Sequence, residues 1–117
     1  MAYVKVKQLN DKAFSEMNCI FDDSKRFNRA ISAIKNNEYK IVADLVLGGN
    51  TDSILNQAFR ATNSIDCAWY KNTDILVDLD CREGCRSTSI GDIIEFAGND
   101  YVVMGSGFKL VEEKICQ

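Results

Sequence analysis

The sequence predicts an α+β protein: two or three helices packed on an antiparallel sheet or small open barrel, with a C-terminal three-stranded meander. Three observations carry that expectation. The hydrophobic patterns run strand, helix, strand, helix and then a series of strands. The stretch "SIGDIIEFAGNDYVVMGSGFKLVEE" reads as consecutive short strands joined by Gly-rich turns. The 117 residues are 46% hydrophobic and 26% charged, with no low-complexity tract and no linker, which suits one domain over residues 1–117.

The elements follow in order. "YVKVKQL", residues 3–9, alternates apolar and basic residues. Val4 and Val6 share one face, Lys5 and Lys7 the other, so it reads as a half-buried strand at a sheet edge, where lysines discourage unwanted pairing. "DKAFSEMNCIF", residues 11–21, supplies one or two helical turns with Ala13, Phe14, Met17 and Phe21 on one face. "DDSKRFNRAISAIKNN", residues 22–37, is a longer helix capped by Asp23 or Ser24. Its core face holds Phe27, Ala30, Ile31 and Ile34, and Asn36 and Asn37 end it by tolerating left-handed geometry.

"EYKIVADLVL", residues 38–47, is a strand with Ile41, Ala43, Leu45 and Leu47 on one side. After the "GGN" turn, Asn50 or Thr51 caps a helix striped by Ile54, Leu55, Ala58 and Phe59. "CAWY" and "DILVDLD" read as short strands around "KNTD". Two strands, around Ile93–Phe96 and Tyr101–Met104, flank the hairpin turn "AGND", and "FKLVE" follows after "GSG".

Composition excludes several functions. The chain has no histidine, so Ser-His-Asp and Cys-His catalysis are unavailable within it. It has no proline, so no proline-rich recognition segment exists. A net charge of -3 disfavours broad coating of nucleic acid. No apolar run is long enough to span a bilayer, and "MAYVKVKQLND" lacks a secretory h-region, so a cytosolic protein without membrane contact is expected. Five cysteines, an odd number, speak for thiols rather than a disulfide framework, often acting as small buried apolar residues.

The densest chemistry lies in "CREGCRSTSIGDII", residues 81–94. Cys81 and Cys85 are spaced C-x-x-x-C, but structural zinc needs four ligands and no second close pair exists. The two thiols read better as flanking an Arg-Glu-Gly turn, and no metal or other cofactor is expected. Arg82 and Arg86 follow the thiols, and nearby positive charge is the setting in which a thiol becomes reactive, yet no partner base is evident. "RSTSIGD" offers an anion-binding loop without P-loop spacing. It is better explained as a turn in which hydroxyls satisfy backbone groups, Gly91 supplies positive φ and Asp92 caps.

Elsewhere, Lys25, Arg26, Arg29 and Lys35 lie on one helix with Phe27, either a nucleic-acid face or the solvated side of an amphipathic helix. Trp69 and Tyr70 are adjacent and cannot both point inward from a strand, so one is a candidate partner anchor. Carboxylate-only or metal-assisted hydrolysis by Asp22, Asp23, Asp78, Asp80 and Asp92 ranks last.

Two stretches carry a resemblance. "ATNSIDCAWYKN" and "RSTSIGDIIEFAGNDYVVMGSGFKLV" resemble small uncharacterised proteins of tailed phages, notably marine and cyanobacterial ones. Asn63, Trp69 and Asn72 match the first part of that pattern. Arg86, Ser87, Ser89, Gly91, Asp92, Gly98, Tyr101, Val103, Gly107 and Phe108 match the second. The resemblance covers roughly the C-terminal half and implies phage origin and a fold module, without a catalytic role.

Together these observations lead to the expectation of a non-enzymatic phage protein in the host cytosol. It would bind a host protein, inhibiting a defence or transcription component, through Trp69, Tyr70, Asp78, Asp80 and Arg86. The alternative is a nucleic-acid-binding module with a PUA-like small barrel, using Lys25, Arg26, Arg29, Arg82 and Arg86.

Overall fold

The computed structural model describes residues 2–63, 76–77 and 86–112. In chain order it contains strand β1 (Ala2–Leu9), helix α1 (Asp11–Asn18), helix α2 (Asp23–Lys35) and strand β2 (Tyr39–Leu47). Helix α3 (Thr51–Ala61) follows, then strands β3 (Leu76–Val77), β4 (Ile93–Phe96), β5 (Asn99–Met104) and β6 (Gly107–Leu110). The strands form one sheet in the order β3-β2-β1-β4-β5-β6, antiparallel throughout. Among the described residues the order has two ends, so the sheet is open. The fold is α+β, and β4, β5 and β6 are the C-terminal meander.

Local chemistry explains each helix. Asn10 accepts the Ala13 N–H to start α1, Asp22 accepts the Lys25 N–H to start α2, and Asn50 accepts the Ser53 N–H to start α3. The α2 cap is thus Asp22 and not Asp23 or Ser24, because Asp22 is the last residue with extended backbone. Asn37 closes α2 at φ 55°, in the left-handed region that asparagine tolerates.

Helices cover both faces of the sheet. Neighbouring strand residues point to opposite faces, and Ile93 and Ile94 fall into different cores. One core joins Val4, Val6, Ile94 and Phe96 to Ile54, Leu55 and Ala58 of α3. The other joins Leu9, Ile93, Val102 and Met104 to Ala13 and Met17 of α1 and Ala30 and Ala33 of α2. Phe27, Ile31 and Ile34 of α2 are only partly buried, because Ala30 and Ala33 make the closest approach to the sheet.

Three expectations are corrected. β1 is not an edge strand: β2 pairs on one side and β4 on the other. Lys7 is accommodated by acids on β4 and β5, its Nζ lying 2.9 Å from Glu95 and 3.5 Å from Asp100. Phe21 is not on the core face of α1; the helix ends at Asn18, and Phe21 is 86% exposed. In β2 the alternation slips, since Val6 pairs with Ala43 and Lys7 with Ile41. Val42 is the extra residue of a bulge. It is buried beside Ala43, while Ile41 turns out toward water.

Candidate functional site

The segment 86–92 is drawn inward and held from several directions. Asp92 has no exposed surface and sits just before β4. Its carboxylate accepts from Arg86 Nη1 at 2.6 Å and Nη2 at 2.7 Å, from the Leu9 N–H at 2.9 Å and from the Ser89 N–H at 2.8 Å. Burial pushes the Asp92 carboxyl pKa up, while Arg86 and the two N–H groups pull the other way. Arg86 Nη2 also donates to the Leu9 carbonyl at 3.2 Å, and the guanidinium lies 3.9 Å from the centroid of the Phe14 ring. The bidentate pair therefore ties the segment to the end of β1 and to α1.

Other bonds finish the enclosure. Gln8 Nε2 donates to the Arg86 carbonyl and to Thr88 Oγ1, Thr88 donates to Thr62 Oγ1, and Thr62 donates to the Ala58 carbonyl in α3. Tyr39 Oη donates to the Gly91 carbonyl at 2.6 Å, and burial pushes its phenol up. Gly91 has φ 95°, and a Cβ there would lie 2.7 Å from Met17 Cε. The turn expected of "RSTSIGD" is present, with Gly91 at positive φ and Asp92 accepting from Ser89. Its charges face one another, so this stretch is a clamp between β1, α1, α3 and β4.

The basic residues of α2 are similarly engaged. Arg26 Nη1 lies 3.1 Å from Asp23, and Arg26 Nε donates to the Ile20 carbonyl at 2.7 Å. Arg29 bridges Glu16 at 2.5 Å and Glu38 at 2.8 Å. The Arg29 bonds lower the Glu38 pKa, and the two acids raise that of Arg29. Lys25 and Lys35 stay exposed. The structure thus brings Arg26 and Arg29 together with carboxylates rather than into an open basic face.

Trp69, Tyr70, Asp78, Asp80 and Arg82 lie outside the described residues, as do Cys81 and Cys85. Asp22 caps α2, Asp23 pairs with Arg26 and Asp92 with Arg86, so these three carboxylates are dispersed over separate tasks. Among the described residues no group of three or more cysteines and acids could hold a metal ion, and no helix is long and apolar enough to cross a membrane. Cys19, at the end of α1, is exposed.

Sequence reasoning missed the surroundings of β6. This last strand of the sheet has a groove on each face. One of about 450 Å³ lies toward α2 and is lined by Phe27, Ile31, Lys109 and Val111. The other, about 490 Å³, lies toward α3 and is lined by Leu55, Tyr101, Phe108 and Leu110. The signal was present in "FKLVE", where apolar residues flank a lysine, but its meaning depends on β6 ending the sheet.

Comparison with protein-family models, curated proteins and solved structures finds no match to the chain.

Proposed function

We propose that this chain is a non-enzymatic binding protein that works by protein–protein contact. The observation that carries this reading is the internal neutralisation of three arginines: Arg26, Arg29 and Arg86 are each held by carboxylates of the same fold. Nucleic-acid binding draws its affinity from cations free to meet phosphates. Three of the cations nominated for that role are spent on folding, and the net charge of -3 adds repulsion. A protein partner needs no such surplus, and contact can rest on apolar and main-chain groups.

The phage-like pattern "RSTSIGDIIEFAGNDYVVMGSGF" extends the reading to a host protein, such as a component of defence or transcription, met in the host cytosol. Affinity capture from host lysate, with and without nuclease, tests it. The expected result is a protein recovered at near-equal stoichiometry whether or not nuclease is added. Recovery that disappears with nuclease, or a salt-dependent shift of short RNA or DNA, would favour the nucleic-acid alternative instead.

A further inference from the structure

We propose that the edge of β6 that no described residue pairs with is the docking site and that the partner presents an extended strand to it. This inference rests on the protein-binding reading above and specifies its surface. In the β5–β6 ladder, Val111 N–H bonds to the Asp100 carbonyl, and Lys109 lies opposite Val102. Antiparallel pairs alternate between bonded and non-bonded, so Val111, Lys109 and Gly107 turn their main-chain groups toward β5. The N–H and C=O groups of Phe108 and Leu110 therefore point away from the sheet. Among the described residues nothing pairs with them.

The side-chain environment matches an added strand on both faces. Residues of an incoming strand alternate between faces. Those beside Phe108 and Leu110 enter the groove toward α3, whose apolar wall includes Leu55 and Tyr101. Phe108 is fixed there by an edge-to-face contact with Phe59, at 6.2 Å between centroids. The residue beside Lys109 enters the groove toward α2. There the ammonium of Lys109 sits 4.2 Å from the Phe27 centroid, and although Glu112 also lines this groove no described carboxylate forms an ion pair with Lys109.

Charge selects the occupant. Pairing β6 with a second copy, in the register that uses both Phe108 and Leu110, sets the two Lys109 side chains directly opposite. Like charges so placed destabilise a strand pair, and an edge lysine is a common guard against self-association. The fitting occupant is a segment of another protein with a large apolar residue on the α3 face and a carboxylate beside Lys109. Main-chain bonds would supply affinity and the two grooves specificity.

The test uses a displayed library of random linear peptides selected on the intact chain. Enriched peptides are expected to place an acidic residue next to a large apolar one. Leu110→Pro removes an outward N–H while sparing every bond to β5, and it should weaken the selected peptides at least about tenfold. Lys109→Glu should reverse the charge preference to basic, which keeps the proposal falsifiable if the proline variant fails to fold. Enriched peptides that bind both variants like the parent would overturn it. So would a dimer in sedimentation that Leu110→Pro dissolves, which would assign the edge to a second copy. Lysate capture separates the two claims. A partner lost with Leu110→Pro supports the edge, and one kept by that variant overturns the edge while the protein-binding reading stands. A lysate that yields no partner for the parent chain overturns both.

Discussion

Asp92 illustrates how one buried carboxylate can organise its neighbourhood. Its four donors come from a side chain six residues earlier, from the turn and from the distant strand β1. Removing Arg86 would leave a charge in the interior with only two N–H donors. Arg86→Ala should therefore cost about 3–5 kcal/mol at neutral pH, measured by urea unfolding. The folded form of that variant would hold its Asp92 proton more tightly than the unfolded chain, so the deficit should shrink as pH falls. Gly91→Ala combines positive φ with overlap at Met17 and should lose about 1–3 kcal/mol by the same measurement. The sequence disclosed half of this arrangement. Gly-Asp after hydroxyl residues marks a turn, and Gly91 and Asp92 fill the roles that chemistry assigns. The partner of Arg86 was not legible, because the ion pair exists only once the turn closes against Leu9.

At the scale of elements, the junction of α1, α2 and β2 depends on Arg29. Its guanidinium joins Glu16 on α1 to Glu38 just before β2. Glu38 has a folded pKa below its ordinary value of 4.5, chiefly through the Arg29 hydrogen bond. A lowered carboxyl pKa contributes stability that is fully present above the unfolded value and is lost as pH falls through the folded one. Glu38→Gln should thus cost about 1 kcal/mol at pH 7, with the difference from the parent vanishing in acid. Chemical denaturation across pH checks this. Loss of the α3 cap through Asn50→Ala should cost about 1 kcal/mol in the same assay. Helix starts were legible to within a residue or so because caps are local signals, whereas the first helix was expected to reach Phe21 and ends at Asn18. The bulge at Val42 was not, since it arises from pairing with β1 and leaves "KIVADL" looking like plain alternation.

For the whole molecule, the governing fact is that β1 lies in the middle of the sheet. Alternating Val and Lys read as an edge because the acids that receive Lys7 stand at Glu95 and Asp100, far along the chain. Burial lowers the Lys7 pKa, but hydrogen bonding and charge from those two acids outweigh it, so the net shift is upward. The position of β6 at the end of the sheet was invisible for the same reason: which strand ends a sheet is a property of topology. Deleting residues 2–9 should unfold the entire chain rather than trim it, with loss of cooperative melting in circular dichroism. Refolding of the intact chain should run in about milliseconds to seconds, as expected for non-local strand pairing. It should lack the phase of roughly tens of seconds that prolyl isomerisation imposes, because the sequence contains no proline.

Placing the first strand between β2 and β4 also affects how the protein is made. A ribosome releases Lys7 well before it has assembled Ile93, the residue that must lie beside it. Until then the nascent β1–β2 pair carries an open flank, even though α1, α2 and α3 have already been made. Completion of the native sheet therefore waits until β4, β5 and β6 have been made, and a chain cut short before Ile93 should have a strong tendency to aggregate.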